Sequence, residues 1–426
     1  MKPATFTRIV RNRFIGGSLK ERYWAVRKSV ALSARLLWPA NCTFALHVLR
    51  NHLRFLFGMV RPVNGQTRAR AQAAAAWLLR AQDATRDGGV SYGYFPCDAG
   101  NGNGWRPSYP ETTGYIIPSL FDFAERFKDD TVRSRALEMA LWEVEVQMAS
   151  GAVQSGMLSE RRHQAPAVFN TGMVLHGYTA AYRASGDLRL LEAGRRAADF
   201  LLGDLGADGH FRTHGPSVIQ HRIKTYNCLC AWALYRFGED TGEAQYEAAA
   251  IRAVEAAVGQ QQPNGWFANN CLADPAVPLL HTIGYTLQGI LEVGILVGRE
   301  DLVDCVRRGT DPLVARISPR GFLHGQFHAD WEPAIFASCL TGSAQLAVVC
   351  YRLHEITRDE RYRWAADRIL NYLKALQIVD SPDPGVNGAL AGSFPLMGSY
   401  MTAGYPNWAT KYLLDALLLQ DRLADS

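Results

Sequence analysis

The sequence predicts an all-α protein in which six helical hairpins close into an (α/α)6 toroid, with a basic helical segment ahead of it. Three observations lead there. From residue 66 onward apolar side chains recur at three- and four-residue spacing, as in Ala75-Leu78-Leu79-Gln82 and Leu137-Ala140-Leu141-Val144. Helix starts with a small or polar entry recur at Thr112, Asn170, Asn227, His281, Cys339 and Asn407, at intervals of 58, 57, 54, 58 and 68 residues. The connections alternate between a few residues and twenty to thirty. A single hairpin cannot bury its own apolar stripe, so a repeat of this length reads as one closed array, and residues 66–426 as one domain.

The segment 1–65 stands apart by its charge. Residues 1–70 hold fourteen Lys and Arg against one acid, Glu21, whereas the other 356 residues hold 31 basic and 39 acidic side chains. The net charge of +5 is therefore +13 plus −8. Phe14, Tyr23, Trp24, Leu36, Trp38, Phe55 and Phe57 are interleaved with the cations. Basic and aromatic groups together suit an anionic membrane surface, the expected partner of residues 1–62. The same groups also serve helices that pack on an acidic body with their charged heads in water. No nucleic-acid recognition motif accompanies the charge, so nucleic acid is not an expected partner. No window holds 18 uncharged apolar residues, and the nearest, Ser29 to Val48, is broken by Arg35 and Pro39. The N-terminus lacks the order of a secretory signal, and eight cysteines without a CxxC pair are too few for a disulfide scaffold. The expected location is the cytoplasm, peripheral on the inner membrane.

Outer helices are expected at Thr67 to Gln82, Thr131 to Met148, Leu188 to Leu205, Ala244 to Gln260, Leu302 to Ile317 and Arg361 to Leu376. Several run into a turn with Gly88, Gly209, Gly265 or Gly321, which accept the positive φ of a helix stop. Inner helices begin at the six repeat starts, and tight turns follow Phe127, Ala184, Gly298 and Thr357. Antiparallel helices then put every long loop at one end, where a cavity is expected; loops of that length are usually functional.

Those loops are chemically dense. His163, His176, His210, His214, His221, His281, His324 and His328, eight of the eleven histidines, lie in them or at inner-helix starts. Rings stack on the apolar faces of pyranoses while amides and imidazoles take the hydroxyls. Tyr94, Trp105, Tyr109, Trp266, Trp331, Tyr405 and Trp408, with His328, are the candidate binding residues for a sugar chain. Glu111, Asn170, Asn227, His281, Cys339 and Asn407 share one place in the repeat and are expected to border the cavity. Carboxylates are few. Glu111 opens an inner helix, where an acid also favours the dipole; Asp330 has no such capping role. Two carboxylates across a cavity serve glycoside hydrolysis. Asp87 and Asp208 read as turn residues before Gly. Alternatively, His281 and Tyr285, four apart on one helix face, together with Tyr226, suit proton abstraction α to a carboxylate. Arg106, Arg222, Lys224 or Lys411 would then hold that carboxylate.

Tyr109-Pro110-Glu111-Thr112-Thr113-Gly114-Tyr115, His281-Thr282-Ile283-Gly284-Tyr285, Cys339-Leu340-Thr341-Gly342-Ser343-Ala344-Gln345 and Tyr405-Pro406-Asn407-Trp408-Ala409 resemble segments of α/α-toroid carbohydrate-active proteins. That group includes six-hairpin glycosidases, polysaccharide lyases and glucuronyl C5-epimerases. The resemblance is greater to uncharacterised proteins of bacterial exopolysaccharide and cell-surface glycan clusters. It implies an enzyme acting on a surface glycan or exopolysaccharide, free or lipid-linked; the carboxylates Asp330 and Glu111 point to a glycoside hydrolase. The alternatives are a polyuronide lyase or uronyl C5-epimerase, or a non-catalytic glycan-binding scaffold in polysaccharide assembly. Cys228, His281 and Cys339 are residue types that hold zinc, as in the lanthionine cyclases. The Cys-His pair and Trp-Cys-x-Gly pattern of those enzymes are absent here, so neither metal nor cofactor is expected. Turns such as Gln260 to Trp266 also resemble prenyltransferase and terpene-cyclase repeats, but no Asp-rich cyclisation motif accompanies them.

Overall fold

The computed structural model describes residues 42–97, 104–158, 164–215 and 223–425. Helix α1 (Cys42–Leu56) precedes twelve helices that alternate between an outer and an inner ring. The outer helices are α2 (Thr67–Asp83), α4 (Asp130–Val146), α6 (Leu188–Asp204), α8 (Ala244–Val258), α10 (Glu300–Val314) and α12 (Glu360–Leu376). The inner helices are α3 (Pro110–Phe127), α5 (Val168–Ser185), α7 (Leu229–Thr241), α9 (Leu280–Leu296), α11 (Leu340–Thr357) and α13 (Asn407–Asp425). A 3₁₀ turn, Thr225–Cys228, leads into α7. Each inner helix packs on the next, and α13 returns to α3, so the expected toroid is closed.

Burial explains the pattern in the sequence. Outer α10 buries Leu302, Cys305, Val306, Gly309, Thr310 and Leu313, one stripe at three and four spacing. Inner α9 is buried at every position from Leu280 to Gly294, because it is enclosed by its neighbours on all sides. Inner helices approach closely where side chains are small. A Cβ on Gly172 of α5 would lie 2.5 Å from the Cys230 sulfur of α7, so that crossing depends on glycine.

The two kinds of connection have separate local causes. At the tight turns Lys128, Gly186 and Arg358 take the left-handed conformation that ends the inner helix. Asp129, Asp187 and Asp359 then cap the next outer helix by accepting the N–H of Val132, Arg189 and Arg361. At the other end every outer helix runs into a glycine of positive φ: Gly88, Gly151, Gly209, Gly265, Gly321 and Gly388. Gly265 shows why no other residue serves: φ is 85° and a Cβ would lie 2.0 Å from the Arg308 carbonyl oxygen of α10.

The long loops share one end, and two short antiparallel pairs tie them together. Strand β1 (Gly93–Tyr94) pairs with β4 (Tyr405–Pro406), joining the first loop to the last, and β2 (Ser338–Cys339) pairs with β3 (Ser393–Phe394). Between α2, α12 and α13 the fully buried ammonium of Lys374 donates to Gly65 O, Thr67 Oγ1, Asn371 Oδ1 and Gln420 Oε1 at 2.6–3.3 Å.

Helix α1 lies on the long-loop end. Asn51 accepts the Leu396 N–H at 2.8 Å, Phe55 packs on Phe322 and Phe394, and His47 meets the Tyr405 hydroxyl at 3.3 Å. Its opposite face leaves Leu46, Leu49, Leu53 and Leu56 exposed, with Phe57 and Met59 just beyond. Residues 1–41, which carry most of the basic segment, lie outside the described residues, as do His163, His221 and Arg222. Among the described residues no helix is long and apolar enough to cross a membrane, and seven cysteines are free, buried thiols.

Candidate active site

Glu111 is the second residue of α3, behind Pro110, whose fixed φ and missing N–H suit a helix start. That places its carboxylate at the positive end of the helix, facing the ring axis at the long-loop end. It remains half-buried. The Tyr109 hydroxyl donates to Glu111 Oε2. Burial pushes the carboxyl up to about 7, outweighing the Tyr109 bond, which pulls the other way. The surroundings are phenols: Tyr115, Tyr226, Tyr285 and Tyr412 all feel the Glu111 charge. A carboxylic acid in such a pocket keeps its proton near neutrality and can deliver it.

The rings form a continuous cluster. Tyr92 meets Tyr109 at 5.3 Å and the Trp408 edge at 4.7 Å, and the Trp408 indole donates to the Tyr400 hydroxyl at 2.7 Å. Phe169 stands 5.3 Å from Tyr226 and 4.7 Å from Tyr285. His281 lies 4.3 Å from the Tyr285 ring, and its Nδ1 is 2.7 Å from Gln345 Oε1. Burial lowers this imidazole to about 4, so it is neutral. Tyr115, Tyr285 and Tyr412 meet across the axis and close the ring's centre. The Tyr115 and Tyr285 hydroxyls are buried and face each other.

The structure thus gathers Glu111, Tyr109, Tyr226, His281, Tyr285 and Trp408. Asn170 joins them through the Tyr109 hydroxyl and also donates to the Gln154 carbonyl at 2.9 Å. Asn227 is 3.0 Å from His214. Asn407 is fully buried and spends its amide on Ser91 O and Thr112 Oγ1, stapling the first loop to the ring. Cys339, also fully buried, is strand backbone, and Cys228 donates its thiol to Thr286 O in the wall between α7 and α9. Among the described residues no three His, Cys, Asp or Glu groups gather as for a metal.

Asp330 has a different setting. It is exposed in the loop before α11, where Oδ1 accepts the Glu332 N–H at 3.1 Å. That is the turn geometry foreseen for Asp87 and Asp208, which accept the N–H of Gly89 and His210. Beside Asp330, Trp331 packs edge-on against buried Trp266 at 5.2 Å and donates to Asn264 O, so this pair fills the gap between two loops. His328 is half-buried in the same turn and donates its N–H to Glu332 O. Tyr94 bonds Asp383 and stacks on Trp105, which leans on Trp77 of the outer helix α2. Tyr405 is buried beneath α1. Of the possible carboxylate-holding cations, Lys224 is buried and donates to Cys271 O and Leu272 O, and Arg106 lies over the Phe95 ring.

The sequence did not single out Tyr115 or Tyr412 as lining residues. For Tyr115 the signal was present: it follows Glu111 by four, as Tyr285 follows His281. A second departure concerns the cavity. A space of about 820 Å³ opens at the short-turn end, under Tyr115 and Tyr412, and His176, eight residues into α5, faces it rather than the loops.

No family model matches the chain, and no curated protein matches it. Solved structures do. An unsaturated glucuronyl hydrolase specific for heparin aligns with a TM-score of 0.67 at 16% identity, covering 84% of this chain and 98% of its own. The unsaturated glucuronyl hydrolase of Bacillus sp. GL1 gives 0.66 at 18%, covering 84% and 97%. The Lin0763 protein of Listeria innocua gives 0.60 at 12%, covering 83% and 97%. The fold is therefore that of the α/α-toroid glucuronyl hydrolases over nearly their whole length.

Proposed function

We propose that the protein is a glycan-cleaving hydrolase that uses Glu111 as its proton donor at the long-loop end. The carrying observation is the Glu111 carboxyl itself: half-buried among phenols, bonded by Tyr109 and pushed up to about 7. Phenol and indole faces around it suit a pyranose. The exposed turn residue Asp330 is not assigned as its partner. A single acid suffices where the scissile end is an enol ether, as in the unsaturated uronyl sugars named for the structural neighbours. Protonation at C4 and water addition at C5, with the water's proton returned to the carboxylate, give a hemiketal; its ring C5–O bond opens to a ketone, and the hemiacetal left at C1 releases the next sugar as an alcohol, so the protons balance without a second carboxylate. A bacterial surface glycan or exopolysaccharide bearing such an end is the proposed substrate.

The membrane partner belongs to the same proposal. The leucine stripe of α1 is exposed, Arg50 lies between Leu49 and Leu53, and α1 is seated on the loops around the mouth. A membrane held by this face would present a lipid-linked glycan at the end where Glu111 lies. Removing residues 1–62 should release the protein from anionic vesicles; undiminished sedimentation with them would refute this part.

Neutral His281 against Tyr285 favours one competing reading, proton abstraction by a lyase or epimerase. Glu111→Gln and His281→Ala, assayed on oligosaccharides with and without an unsaturated end, separate the two. Hydrolysis predicts loss of the double-bond absorbance and a fall of about 10²–10⁴-fold in kcat for Glu111→Gln. If only His281→Ala abolishes turnover and products gain that absorbance, elimination is the reaction. If neither change alters turnover while sugar still binds, the protein is a binding scaffold.

A further inference from the structure

The cavity at the short-turn end lies outside the chemistry assigned to Glu111. Its volume of about 820 Å³ is within the range of small-molecule sites. It is ringed by the six inner helices and floored by Tyr115 and Tyr412. Two lining groups from two helices have a polar atom without a hydrogen-bond partner among the described residues: His176 Nε2 on α5 and Gln288 Oε1 on α9. Gln288 is only 6% exposed, so its free acceptor is a buried polar group of the kind folded proteins seldom leave unpaired. His176 is neutral: burial, with Lys411 and Arg236 nearby, lowers it to about 3. Its ring sits 4.4 Å from Trp232, which also lines the space.

Four of the charged groups on the wall are fixed in pairs, and Asp122, Glu125 and Arg422 line it as well. Lys411 holds Asp415 at 2.7 Å, and Ser119 donates to the same carboxylate at 2.6 Å. Arg352 grips Glu292 with two bonds at 2.9 and 3.0 Å. Paired in this way they exert little net pull on an ion, yet they present fixed donors and acceptors. Fixed polar groups beside an indole and two phenols, with unpaired acceptors at the bottom, complement a ligand rich in hydroxyls with an apolar face.

We propose that this cavity is a second carbohydrate site, taking one or two sugar units at the end of the barrel opposite Glu111. The ligand hydroxyls complete the Gln288 and His176 acceptors, and Trp232 receives the apolar sugar face. The tyrosine floor separates the two sites, so binding here does not require turnover there.

The test uses the full chain and a panel of D-glucose, D-galactose, D-mannose, N-acetylglucosamine and D-glucuronate, titrated by calorimetry. The same titrations are run on Glu111→Gln, Gln288→Leu and Trp232→Phe. At least one sugar should bind the wild type and Glu111→Gln equally, and bind Gln288→Leu and Trp232→Phe about tenfold more weakly. Gln288→Leu should also keep or raise the Tm without ligand, because it removes an unpaired buried acceptor. The proposal is overturned if no sugar of the panel binds. It is overturned equally if binding is lost in Glu111→Gln and kept in Gln288→Leu. A lower Tm for Gln288→Leu would mean that water alone completes the amide, and would also overturn it.

Discussion

At Glu111 the carboxyl has exchanged most of its water for phenol rings, and the exchange has two measurable consequences. As a proton donor it acts only while protonated, so turnover should fall as pH rises through about 7. Stability moves in the same direction. The folded state holds a proton there that the unfolded chain gives up near 4.5, so the contribution is full below 4.5 and is lost as pH rises to about 7. Glu111→Gln should therefore melt above the wild type at pH 8, by up to roughly 3 kcal/mol, and show no such advantage at pH 4. Glu143 of α4 is a more extreme case: it is fully buried, both carboxyl oxygens lack a partner among the described residues, and burial pushes it well above its usual range. Glu143→Met should raise the Tm, and more at pH 8 than at pH 5, in a scanning calorimeter. At this scale the sequence was only partly legible. Glu111 could be singled out because its place in the repeat was visible. Asp330 looked equivalent because sequence does not say which way a loop residue points.

Elements were far more legible, for a physical reason. An outer helix has one wet face, so its stripe writes its boundaries: Arg361 to Leu376 was expected and Glu360–Leu376 is found. The Asp caps and left-handed turn residues mark the tight turns just as directly. Inner helices carry a weaker stripe because they are buried on most sides, α9 almost completely, and their starts were visible mainly through small and polar entries. The turn glycines Gly151 and Gly388 went unremarked, although they do what Gly88 and Gly265 do. Gly172→Ala tests the close crossing of α5 and α7: the added methyl must displace Cys230, and we expect a loss of about 1–3 kcal/mol by urea denaturation. The exposed stripe of α1 makes the opposite prediction. Changing Leu46, Leu49, Leu53 and Leu56 to Ser should leave the Tm of the ring nearly unchanged while weakening vesicle binding.

For the molecule as a whole, closure rests on contacts between residues remote in sequence. Thr67 bonds Gln420 across 353 residues, and Lys374 ties both to α12. Burial lowers the Lys374 ammonium to about 8, and its bonds to four oxygens hold it in place. Lys374→Met strands those acceptors and should cost about 2–4 kcal/mol, read as a lower midpoint in guanidinium. The sequence revealed the number of hairpins and the end that carries the loops. It did not reveal that the tyrosines close the axis, nor that open space lies on the far side of them, because both depend on how six helices meet.

The ring contains six equivalent hairpins but only five tight turns. Where the sixth would stand, the start of α2 faces the end of α13 with no peptide between them, and Arg68 reaches Asp421 at 2.9 Å. The structure is therefore a split washer with a polar seam. During synthesis α13, which completes the circle, leaves the ribosome after the other five inner helices, so these must wait with one edge unsealed. After folding, the same seam should be where the circle parts most readily, read as faster amide exchange at the start of α2 and the end of α13 than in the five closed hairpins.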